Sequence, residues 1–85
     1  YKMGLSEWRA RIDQVDRELV DLINERLGYA LEIGKIKRVE GLEVYDPKRE
    51  ADLLQKLQEY NVGPMRDNAV FDIFSRIITE ARELE

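Results

Sequence analysis

Eighty-five residues and 10.0 kDa bound this chain to a single domain over 1–85, below the roughly 100–150 residues at which cores begin to divide. A composition of 44% hydrophobic and 38% charged residues excludes disorder, and no apolar run reaches the roughly 18 residues of a membrane-spanning helix. A net charge of -4 with no histidine and no cysteine argues against a nucleic-acid footprint, a disulfide framework, thiolate zinc sites and histidine acid–base chemistry.

Residues 1–5 carry no signal-peptide pattern and read as a flexible tail, so the cytoplasm is the expected compartment. From Ser6 to about Arg38 no proline intervenes, and Trp8, Ile12, Val15, Leu19 and Leu22, then Ile33 and Ile36, recur at helical spacing. Ser6 is the expected N-cap, with Glu7 in the first turn and Gly41 marking the end. Asp46-Pro47 starts a second helix that runs to about Tyr60 on the stripe Ala51, Leu53, Leu54, Leu57 and Tyr60. Asn61-Val62-Gly63-Pro64 ends it. A third helix, capped by Asp67, places Val70, Ile73, Phe74, Ile77, Ile78, Ala81 and Leu84 on one face. The expected fold is all-α, with one long and two shorter helices.

A rod from Ser6 to Arg38 is roughly 50 Å long at 1.5 Å per residue. A compact domain of this size has a diameter of only about 30 Å. The first helix also carries a second apolar line, Val20, Ile23, Leu27, Ala30 and Leu31, so more than one face demands burial. A break near Gly28 or Gly34 would relieve the overhang, but a second copy with its long helix packed antiparallel supplies the missing surface more economically.

Four cations stand where local rules disfavour them. Stepping by four and three from Trp8 along the seam brings position 26, where Arg26 replaces the apolar residue, and a buried guanidinium needs an anion. Lys37 lies about 20° round the helix and roughly 16 Å further along it, close enough for both side chains to reach one small anion. Arg49 occupies the first turn of the second helix, where the macrodipole favours acids, although pairing with Glu50 or Asp52 is a plainer explanation. Arg9 is roughly 25 Å from Arg26 along the rod and can share an anion with it only across an antiparallel dimer. On an acidic chain this set reads as a pocket for a small polyanion, held by bidentate guanidinium–carboxylate pairs.

In four stretches the chain resembles the all-helical chorismate mutase family. These are Trp8-Arg9-Ala10-Arg11-Ile12-Asp13, Leu22-Ile23-Asn24-Glu25-Arg26, Ile33-Gly34-Lys35-Ile36-Lys37 and Tyr45-Asp46-Pro47-Lys48-Arg49-Glu50, followed by Phe74 and Ile77-Ile78. The resemblance implies an intertwined homodimer with shared active sites, an isomerase of aromatic amino-acid biosynthesis that converts chorismate to prephenate, and no metal or cofactor. It implies that Arg26 and the partner's Arg9 grip the substrate carboxylates, that Lys37 reaches the ether oxygen and a carboxylate, and that Arg49 orients the polar wall. It also places Asp46, through its backbone amide, and Glu50 at the ring hydroxyl. Ala81 stands where some members carry a serine near the ring carboxylate. Glu85 stands where members carry Gln or Glu facing the ether oxygen. A glutamate donates a hydrogen bond only when protonated, so the expectation is turnover that falls as pH rises and a flat profile in Glu85→Gln.

Two alternatives remain open on the sequence: an isochorismate-pyruvate lyase, similar in fold, and a non-catalytic helical dimerisation or regulatory module whose cations merely solvate a bundle. The family occurs both as free-standing enzymes and as domains of larger shikimate-pathway proteins, and either organisation fits the sequence.

Overall fold

The computed structural model describes residues 3–85, which form three helices: α1 (Leu5–Glu40), α2 (Pro47–Tyr60) and α3 (Asp67–Leu84). Among the described residues there is no strand, and no helix is long and apolar enough to cross a membrane. The first two positions of the expected N-terminal tail lie outside the described residues, and Leu5 is already helical.

α1 runs unbroken through Gly28 and Gly34 for 36 residues, a rod of about 54 Å at 1.5 Å per residue. It starts earlier than its sequence signals suggest. Gly4, not Ser6, is the N-cap; its carbonyl accepts from the Trp8 amide at 3.2 Å, while the Ser6 hydroxyl inside the helix donates to Glu7. At the other end Gly41 takes a left-handed conformation, φ 71°, and the Gly41 and Leu42 amides both donate to the Lys37 carbonyl. Glycine alone enters that region without steric cost.

α2 begins on Asp46, whose carboxylate accepts from the Arg49 amide at 3.1 Å, with Pro47 at the first helical position. For α3 the N-cap is Arg66 rather than Asp67. The Asp67 carboxylate is engaged by the Asn61 side-chain amide at 3.3 Å, and that same amide also donates to the Met65 carbonyl at 2.6 Å. These bonds fold the short connection between α2 and α3 back on itself.

α3 packs against both α1 and α2 and so lies at the centre of what core the chain has. That core is small: Ala30, Leu54, Val70, Ile78 and Ala81 are its buried apolar residues. On α1, burial is confined to Ala30 and Gly34, both in the C-terminal half. The seam Trp8, Ile12, Val15, Leu19 and Leu22 is 49–61% exposed. Tyr60, Ile73 and Leu84, expected to be apolar-face residues, are likewise exposed in the single chain. The molecule measures 59 × 23 × 15 Å with a radius of gyration of 16.5 Å, against about 12 Å for a compact chain of this length. The N-terminal half of α1 projects beyond the rest.

Candidate active site

The C-terminal half of α1, the connection to α2, the first turns of α2 and the last turns of α3 enclose a cleft of about 480 Å³. That is within the roughly 300–1,000 Å³ typical of small-molecule sites. Periodicity explains its composition. Arg26, Ala30, Ile33 and Lys37 descend one face of α1 in steps of four, three and four, and Ile78, Ala81 and Arg82 share one face of α3 that its C-cap Glu85 continues. The capped start of α2 adds Asp46, Arg49, Glu50 and Leu53.

Seven of the eight site residues named from the sequence therefore line one cleft: Arg26, Lys37, Asp46, Arg49, Glu50, Ala81 and Glu85. Arg9 does not. It is exposed on the projecting part of α1, roughly 25 Å from Arg26 at 1.5 Å per residue.

Lys37 is fixed in place. Its ammonium donates to the Val44 carbonyl at 2.9 Å and to the Glu85 carboxylate at 3.3 Å, with the two side chains only 19% and 10% exposed. Glu85 reaches it because α3 crosses α1 at Gly34, where an added Cβ would lie 3.0 Å from the Glu85 Cα and 3.2 Å from its carbonyl oxygen. Arg38 completes the seat by donating to the Glu85 carbonyl at 2.8 Å. Gly34 was legible in the sequence only as a weak point in a helix; its function as a crossing point depends on the tertiary fold.

Glu50 is held from the opposite side. The Arg82 guanidinium donates from Nε to Oε2 at 3.2 Å and from Nη2 to Oε1 at 2.9 Å, and it lies over the Tyr45 ring at 4.5 Å from the centroid. Sequence reasoning missed Arg82. A signal was present, since it sits four residues after buried Ile78 on the edge of the α3 stripe, as Arg26 sits on the seam of α1. On the α1 wall Tyr29 donates to Glu25 at 2.6 Å. That hydrogen bond, followed by the charge of Glu25, raises the phenol above its usual pKa of 10.0.

The cleft thus contains four cations, Arg26, Lys37, Arg49 and Arg82, and three carboxylates, Asp46, Glu50 and Glu85. Lys37 and Arg82 are paired with Glu85 and Glu50, and the Asp46 carboxylate caps α2. Among the described residues Arg49 pairs with neither Glu50, which holds Arg82, nor Asp52. Among the described residues neither Arg26 nor Arg49 has a carboxylate at salt-bridge distance. Two guanidiniums without an acid partner, set around one concave space on an acidic chain, suit a small ligand with more than one carboxylate.

The sequence pattern of the family described as chorismate mutase type II matches residues 8–85. A bifunctional chorismate mutase/prephenate dehydratase from Neisseria gonorrhoeae is 36% identical over 77 residues, covering 91% of this chain and 21% of that protein. The chain therefore spans about a fifth of that relative's length. Among solved structures, form II of a chorismate mutase from Thermus thermophilus superposes with a TM-score of 0.91 at 35% identity, covering 94% of this chain and 91% of the other. The chorismate mutase from Helicobacter pylori in complex with prephenate gives a TM-score of 0.85 at 31% identity, with 94% and 87% covered.

Proposed function

The chain belongs to the chorismate mutase type II family, and from that membership we propose that it converts chorismate to prephenate in a cleft completed by a second copy of itself. The observation that carries this reading is the pair of acid-free guanidiniums, Arg26 and Arg49, facing one cleft with the part-buried ammonium of Lys37. The reaction is a one-substrate Claisen rearrangement: the carbon–oxygen bond of the enol ether breaks as a carbon–carbon bond forms. It requires no nucleophile, so a site built from cations, carboxylates and amides is sufficient.

Two physical tasks remain for the protein. One is to hold the compact conformer in which the reacting carbons meet. The other is to stabilise negative charge building on the ether oxygen. Arg26 binds a substrate carboxylate through its planar fork, and Lys37 exchanges its Glu85 contact for the ether oxygen and a carboxylate. Glu85 faces the same oxygen. Glu50 receives the ring hydroxyl; the Asp46 carboxylate is taken up by the helix cap, which favours its backbone amide as the group offered to substrate. Arg49 forms the polar wall. Ala81 contributes shape but no hydrogen bond, so a water can occupy the space a serine would fill.

The projecting half of α1 supports the dimer. Its exposed seam is the surface that an antiparallel copy would bury, and the same packing brings the partner's Arg9 towards Arg26. The domain then extends over 1–85, and two chains share each site.

The test is to offer chorismate and isochorismate separately and identify the products. Prephenate from chorismate supports the proposal. Salicylate and pyruvate from isochorismate would assign a lyase instead. No turnover of either, with no calorimetric signal from a bicyclic transition-state analogue, would leave a dimerisation module.

A further inference from the structure

Glu50 presents a difficulty for any cleft that takes a dicarboxylate, because a bare carboxylate on the wall repels the ligand it is meant to orient. The structure does not leave it bare. Both oxygens accept from the Arg82 fork, at 3.2 and 2.9 Å, with side-chain exposures of 22% for Glu50 and 37% for Arg82. Partial burial keeps this pair from being fully screened. The Arg82 guanidinium is itself held over the Tyr45 ring at 4.5 Å. One contact set therefore ties α3, the α1–α2 connection and the first turn of α2 together at the cleft.

We propose that Arg82 is a positioning residue that acts through Glu50, orienting its carboxylate and offsetting its charge so that the cleft admits a dianion. The inference rests on the dicarboxylate reading of the site above. A carboxylate has about four lone-pair sites; the fork occupies one on each oxygen and leaves the others for a substrate hydroxyl. Lysine in place of Arg82 keeps the charge but loses the parallel geometry and the planar contact with Tyr45. The two contributions, orientation and charge, can therefore be separated.

The experiment is steady-state kinetics on chorismate for the parent chain, Arg82→Gln, Arg82→Lys, Glu50→Gln and the Arg82→Gln/Glu50→Gln pair, with circular dichroism to verify folding. Arg82→Gln raises KM on the order of tenfold or more, because it orphans a part-buried carboxylate in front of the substrate. Arg82→Lys shows a smaller rise. The double variant returns KM to that of Glu50→Gln alone, which a purely structural role for Arg82 would not produce. An Arg82→Gln KM within about twofold of the parent overturns the inference, as does a double variant no better than Arg82→Gln. Replacing both members of a pair costs far less than orphaning one. If Arg82→Gln does not fold, the double variant therefore decides alone, and a KM well above that of Glu50→Gln overturns the inference. A parent chain that does not convert chorismate overturns the activity assignment instead, which keeps the two failures distinct.

Discussion

Gly34→Ala perturbs the site without replacing a charged residue. The new Cβ would lie 3.0 Å from the Glu85 Cα, 3.2 Å from its Cβ and 3.2 Å from its carbonyl oxygen, so backbone rather than a flexible side-chain tip is in the way. Carbon contacts relax to about 3.5–4.0 Å, so the end of α3 must retreat from α1 by roughly 0.5–1 Å. Alanine gains about 1 kcal/mol of helix propensity over glycine, while overpacking costs about 1–3 kcal/mol; stability is therefore unchanged or lower by up to about 2 kcal/mol. Activity suffers more, because a misplacement of about 1 Å can cost on the order of a hundredfold and Glu85 carries the acceptor of Lys37. Gly28→Ala is the control: an added Cβ there meets nothing within 4 Å, so the variant gains most of that roughly 1 kcal/mol. The assays are thermal denaturation and kcat on chorismate for both variants. Gly34→Ala with parental kcat and a melting point raised as far as that of Gly28→Ala would refute the close-packed crossing.

In the proposed reaction Lys37→Ala removes the part-buried cation that would face the developing oxyanion and lowers kcat about a hundredfold or more; Arg26→Ala lowers kcat and raises KM together, and near-parental kcat/KM for Arg26→Ala would remove it from the site. Glu85→Gln removes the carboxylate that accepts from the Lys37 ammonium but leaves an amide that donates a hydrogen bond at any pH, so kcat on chorismate is kept in Glu85→Gln and falls in Glu85→Ala; parental kcat in Glu85→Ala takes Glu85 out of the mechanism. Val15 is 50% exposed in the single chain, where Val15→Asp would cost about 0.5 kcal/mol or less. In the proposed dimer the variant buries a charge at the seam, so sedimentation velocity should show dissociation and loss of activity; an intact, active dimer would place the interface elsewhere.

Much of this architecture was written in local rules. Asp46-Pro47 and Asn61-Val62-Gly63-Pro64 bracket α2 because capping and termination depend on neighbours in sequence, and the observed Pro47–Tyr60 follows them. The start of α1 did not follow its signals, since Gly4 caps with its main chain and has no side chain to advertise it. Asp67 failed as a cap because Asn61, six residues earlier, engages its carboxylate. In the site, Arg26, Lys37 and Arg49 were visible as cations that break local rules. Asp46, Glu50, Ala81 and Glu85 entered through family resemblance alone. Arg82 was hidden because its partner Glu50 is 32 residues away in sequence, beyond the range of any pattern on one helix. The crossing at Gly34 was hidden for the same reason.

The central claim is that neither chain has a complete site alone. Arg9→Ala and Arg26→Ala chains should each be inactive as homodimers. Mixed in equal amounts and refolded, half of the dimers become mixed pairs, each with one site that keeps both arginines and one that has neither. Chorismate conversion should then recover to about a quarter of the parental rate, the value that random pairing of two chains requires. A confirmed heterodimer that converts no chorismate to prephenate would contradict the shared site.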